Sequence, residues 1–174
     1  MGENLSIYMQ TCLPTTPSKV YIEGIHVDAL IDDIHARVQA RSNEKGVRIR
    51  YEVIAWNPIT VAADKIALLE LIDDLIGQAI DLSPQGTNVT LRAFPSHDDA
   101  CTTFEITDCR ACSRDAGEKH ELDKQVIGAR ALIERMGGEL AVLPRSKGGM
   151  RVLFWLPQWI TSELGCESNH RHAA

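Results

Sequence analysis

Apolar and polar positions follow two periods along this chain. Val27, Leu30, Ile31, Ile34 and Val38 fall at helical spacing and Gly46 closes the run, so Val27 to Glu44 predicts one amphipathic helix. Val47 to Ile54 switches to strict period two, the mark of a half-buried strand. Asp64 to Leu82 is apolar around much of its girth, with Leu68, Leu69, Ile72, Leu75, Ile76 and Ile80 among its residues, which predicts the central buried helix. After the turn Ser83-Pro84-Gln85-Gly86, two alternating runs, Asn88 to Phe94 and Thr102 to Thr107, predict a hairpin across Pro95 to Asp99. Cys109 to Lys124 has no clear period and predicts a long polar loop, the natural candidate for a lid. Val126 to Met136 predicts a helix that turns Val126, Ile127, Ala129, Leu132 and Ile133 inward and ends at Gly137-Gly138. Glu139 to Leu143 and Met150 to Leu156 then form a closing hairpin, and Val20-Tyr21-Ile22 reads as a short strand near the start. This order predicts an α+β two-layer sandwich, a mixed and mostly antiparallel sheet with helices on one face.

Composition narrows the picture. With 174 residues, 44% of them hydrophobic, the chain can bury one core but not comfortably two. A formal charge of -6 without a Lys/Arg run argues against nucleic acid as a partner. No apolar stretch reaches the roughly 18 residues of a membrane helix, and Met1 to Lys19 has no leader pattern, so a cytoplasmic segment is expected. The cysteines are five, an odd number, which speaks for free thiols rather than a disulfide framework. Cys109 and Cys112 form a C-x-x-C, yet no second pair or suitably spaced His completes a zinc site, and a loop with two incidental thiols is the plainer reading. The expected limits are a linker over 1–19, rich in proline at its end, one domain over 20–158, and a polar tail over 159–174.

Several phrases, taken in order, carry a resemblance. Gly24 to Ile31 opens the first helix, Glu44-Lys45-Gly46-Val47 makes a helix-to-strand turn, and Ala63-Asp64 precedes Leu68-Leu69-Glu70-Leu71-Ile72. Ala79 to Gly86 ends the long helix, and Ile133 to Leu140 with Gly148 to Pro157 supply the closing helix and strand pair. From about Val27 to Pro157 the chain resembles the catalytic, ATP-binding domain of two-component sensor histidine kinases, a fold shared with gyrase and MutL. The resemblance implies that 1–19 is the remnant of a preceding dimerisation and phosphotransfer helix. It also implies a response regulator or a partner histidine kinase as partner, together with the parent chain's own dimerisation and phosphotransfer domain.

In that family an N-box asparagine offers its amide oxygen to Mg²⁺, and a carboxylate accepts from the adenine amino group. By resemblance Gln78 stands at the metal-binding asparagine, Asp74 at an earlier one, and Asp108 at the adenine carboxylate. Gln78 is one methylene longer than asparagine, and Asp81 occupies a place usually held by a base, where its charge opposes polyphosphate. Arg110 and Cys112 stand where glycines let the base pass, and Asp123, Lys124 and Gln125 where a glycine-rich segment opens the last helix. No histidine lies in a phospho-acceptor motif; His35 alone falls on a predicted helix and is expected in solvent. The resemblance therefore implies a pseudokinase: a regulatory or interaction module with a vestigial ATP and Mg site at Asp108, Gln78 and Asp74, no catalytic residue, no metal and no cofactor. Two alternatives remain open at this stage. One is an active kinase domain using Mg-ATP. The other is a small-ligand module with its pocket among Ile76, Ile80, Ile106 and Ile127.

Overall fold

The computed structural model describes residues 20–97, 100–110, 116–146 and 148–159, with the backbone alone over 116–125. Helix α1 (Val27–Lys45) buries Val27, Leu30, Ile31, Ile34 and Val38 and ends at Gly46, whose φ of 67° lies in the left-handed region. Helix α2 (Lys65–Leu82) starts at Asp64, whose side chain accepts from the Ala67 N–H, satisfying one of the free donors of the first turn. Ten of its residues are buried, which makes it the central helix that its sequence predicts. Helix α3 (Ala116–Arg135) is followed by Gly137 at a φ of 79°.

Five strands, β2 (Arg48–Val53), β4 (Asn88–Pro95), β5 (Cys101–Thr107), β7 (Met150–Pro157) and β6 (Glu139–Pro144), lie side by side in that order. Among the described residues only the β2–β4 pair is parallel; the others are antiparallel. The helices cover one face, with α1 against α2 and α3 against β6 and β7. Beneath them Val89, Leu91, Phe104, Ile106, Phe154 and Leu156 point inward on alternate strand positions. Phe104 and Phe154 stack at 4.9 Å between ring centroids. Such a sandwich is the expected one.

Three expectations need correction. The first strand is not Val20 to Ile22 but β1 (Glu23–His26), and its partner is β3 (Thr60–Ala63), a strand that the sequence pattern did not reveal. The two make a small separate sheet held by one hydrogen-bonded register and extended by Trp159, whose N–H donates to the Thr60 carbonyl at 2.8 Å. The loop expected over Cys109 to Lys124 is much shorter, because α3 begins at Ala116. Glu118, Lys119, Glu121, Leu122, Lys124 and Gln125 are all good helix formers, and propensity prevails where hydrophobic periodicity is faint. Ile127, expected inward, is 67% exposed.

Candidate functional site

Asp108 follows β5 directly and is only 2% exposed. A carboxylate at that depth needs partners, and its own chain supplies them. Oδ1 accepts from the Met150 N–H at 2.8 Å and from the Arg110 N–H at 3.2 Å. Oδ2 accepts from Arg110 Nε at 2.6 Å and pairs with the Nη2 of the same guanidinium. The main chain is pinned as well: the Asp108 N–H donates to the Met150 carbonyl at 3.1 Å, and the Asp108 carbonyl accepts from Arg145 Nη1 at 2.7 Å. Gly149, at a φ of +92°, passes so close that a Cβ there would lie 2.2 Å from that carbonyl oxygen. Arg110 is itself largely covered, with 14% of its side chain exposed, and its Nη1 finds no partner among the described residues.

The segment after Asp108 reaches back to α2. The Cys109 N–H donates to Oγ of Ser83, the buried residue that caps the C-terminus of α2, at 3.4 Å. Gln78 lies five residues before that cap, about 7.5 Å along the helix axis. Asp74 lies one turn further back on the same face. Gln78 is half-buried and Asp74 exposed. Burial first, then the neighbouring charges of Asp73 and Glu70, hold the Asp74 carboxyl above the usual carboxylate range. Asp81 is paired by Arg41 of α1, whose Nε lies 3.0 Å from Oδ1. Arg41 crosses α2 at Gly77, where a Cβ would meet its Nη1 at 2.4 Å. The hydrogen bond to Asp81 raises the Arg41 pKa further above its ordinary value.

The structure therefore brings Asp108 and the C-terminal end of α2 together and leaves Asp74 at a distance along the helix. Asp123, Lys124 and Gln125 do not open the last helix; they lie within α3, whose first residue is Ala116. Cys112 falls outside the described residues, Cys109 is an exposed free thiol, and Cys101 is half-buried. Among the described residues no three His, Cys, Asp or Glu gather into a metal-binding set. Ile76, Ile80 and Ile106 are packed in the core while Ile127 stands on the surface, so the four do not line one pocket. His35 lies on α1 and in solvent, as expected. Arg145 and Gly149 were not anticipated at this corner; the only hint is Gly148-Gly149, two glycines both at positive φ in the turn before β7.

Among the described residues, no helix is long and apolar enough to cross a membrane. Sequence comparison with protein-family models and with curated proteins finds no match. Solved structures do share the fold. The catalytic domain of histidine kinase ThkA superposes with a TM-score of 0.67 at 12% identity, over 79% of this chain and 97% of that one. ThkA is also known in complex with response regulator protein TrrA. The mycobacterial sensor histidine kinase MprB gives 0.65 at 20% identity, over 79% of this chain and 98% of its own. Full-length ShkA in complex with AMPPNP gives 0.67 at 20% identity, over 84% of this chain and 33% of that chain. The fold is thus that of histidine-kinase catalytic domains.

Proposed function

We propose that this chain is a histidine-kinase-type domain that serves two-component signalling as a regulatory or protein-interaction module, without ATP-driven phosphoryl transfer. The observation that carries the reading is the Asp108–Arg110 pair. The carboxylate that the family resemblance assigns to the adenine amino group already receives both kinds of donor, backbone and guanidinium, from its own chain. An incoming neutral amine would have to displace a buried, charge-assisted bond, roughly twice as strong as the one it offers. The α2 face supports the same conclusion. Gln78 replaces the shorter amide, Asp74 adds negative charge with a raised pKa, and Asp81 is spent on Arg41. Mg-ATP does not fit these residues, and no phosphoryl-transfer step is assigned to them.

ThkA with TrrA is an example of this fold meeting a response regulator, and ShkA with AMPPNP an example of it holding a nucleotide analogue. The first kind of contact is the one we carry over: a response regulator or partner kinase, alongside a dimerisation and phosphotransfer domain, in the cytoplasm. Calorimetric titration of the protein with Mg²⁺ and AMPPNP tests the reading. No heat up to millimolar nucleotide is expected. Micromolar binding that disappears in Asp108→Asn would overturn it in favour of an active kinase domain.

A further inference from the structure

The two edges of the five-stranded sheet are finished differently. At one edge β6 ends in Pro144 and is backed by α3, devices that blunt an edge. At the other, β2 runs Arg48 to Val53 in unbroken register with β4, with no proline and no bulge. The Arg48 N–H donates to the Thr87 carbonyl at 3.0 Å and the Ile54 N–H to the Ala93 carbonyl at 2.9 Å. By the two-residue period of a strand, the N–H and C=O groups of Ile49, Tyr51 and Val53 face away from β4. Among the described residues no strand pairs with them.

Alongside this edge, between β2 and α1, lies an open groove of about 310 Å³ lined by His35, Gln39 and Asn43 of α1 and by Arg48, Ile49 and Arg50 of β2. Its charged lining is cationic in a chain whose formal charge is -6. Glu52, the one carboxylate on the strand, is engaged by Arg92 at 2.9 Å, whereas Arg48 and Arg50 are exposed and enter no ion pair among the described residues. Among the described residues the Tyr51 hydroxyl is buried without a hydrogen-bond partner, and its ring meets His35 edge-on at 5.4 Å. An unpaired edge, unpaired cations and an unpaired hydroxyl thus coincide.

We propose that the β2 edge receives an extended acidic segment of a partner protein, which adds to the sheet as a further strand. Its backbone pairs with Ile49, Tyr51 and Val53, and its carboxylates face Arg48 and Arg50. A second copy of this chain fits poorly, because it would bring the same two arginines to its own image.

A fluorescein-labelled decapeptide alternating Glu and Val, titrated into the protein by anisotropy, is the probe. Three companions accompany it: the Lys-for-Glu peptide, the Glu peptide N-methylated at every second residue, and the variant Arg48→Glu with Arg50→Glu. The expected result is micromolar binding of the Glu peptide, slower amide exchange at Ile49, Tyr51 and Val53, at least tenfold weaker binding in the double variant, and none for either altered peptide. Equal binding of the N-methylated or the Lys peptide would overturn the proposal, as would no binding of the Glu peptide. So would a dimer in sedimentation that Val53→Pro abolishes, since that change removes an outward-facing N–H at a position whose side chain is exposed.

Discussion

Two polar regions meet near the C-terminal end of α2, and the fold treats them in opposite ways. At the Asp108 corner the whole residue is engaged: its carboxylate and carbonyl accept from Arg110, Met150 and Arg145, and its amide donates to the Met150 carbonyl. On the α2 face Asp74 is exposed, Gln78 is half-buried, and Asp81 is tied sideways to α1 by Arg41. The difference is one of depth. A carboxylate at 2% exposure cannot remain without partners, so the buried region is over-determined, while the exposed one tolerates loose ends.

The glycine of the buried corner offers the strongest way to break this contrast. Gly149→Ala would place a methyl 2.2 Å from the Asp108 carbonyl oxygen on a backbone at φ +92°, where L-residues are strained and the obstacle is main chain. A loss of about 3 kcal/mol in urea unfolding is expected; a loss below about 1 kcal/mol would mean that the corner is soft. Asp108→Ala comes next, at about 3 kcal/mol as well, because it leaves the Arg110 guanidinium covered and unpaired. Arg110→Ala should cost less, and the double variant less than the sum of the two. That coupling, read from a double-mutant cycle, distinguishes a pair from two independent packing losses.

Most of the fold was legible before any of these contacts. Period two located β2, β4 and β5, and the dense apolar spacing of Ile66 to Ile80 located α2, because burial against one layer imposes those spacings directly. β3 escaped because Thr60 to Ala63 is four residues long, too short for a period to register. The first ten residues of α3 escaped because their helical tendency lies in propensity rather than in an apolar stripe. Of the site, Asp108 and its neighbour Arg110 could be picked out through family resemblance, but the manner in which Arg110 turns onto Asp108 could not. Arg145 and Gly149 come from a turn about forty residues away, and such long-range convergence leaves no local signature.

The α2 side should respond weakly, and in one case with the opposite sign. At Gly77 an added Cβ meets only the tip of Arg41, 2.4 Å away, and a flexible guanidinium can shift. Alanine is favoured over glycine by about 1 kcal/mol within a helix. Disturbing the exposed Arg41–Asp81 pair returns at most about 0.5 kcal/mol of that. Gly77→Ala is therefore expected to be stabilising by about 0.5 kcal/mol in thermal or urea unfolding, against the large loss at Gly149. A loss at both glycines would erase the distinction between rigid and loose regions.

The smallest effect belongs to Asp74, and its sign follows from the raised pKa. Burial and the charges of Asp73 and Glu70 favour the protonated carboxyl in the folded chain. The stability this contributes is present below the unfolded carboxylate range, near pH 4, and is lost as pH rises through the folded value. At neutral pH the ionised Asp74 therefore costs the folded state something, and Asp74→Asn removes that cost. Because the carboxylate is largely in water, screening holds the gain to a few tenths of a kcal/mol. Urea unfolding at pH 7 and at pH 3 checks it: the variant is expected to be the more stable at pH 7, with the gain gone at pH 3. A variant that is less stable at pH 7 would mean that the attraction of Arg41 outweighs burial and the like charges at Asp74, and that the α2 face is as ordered as the corner beside it.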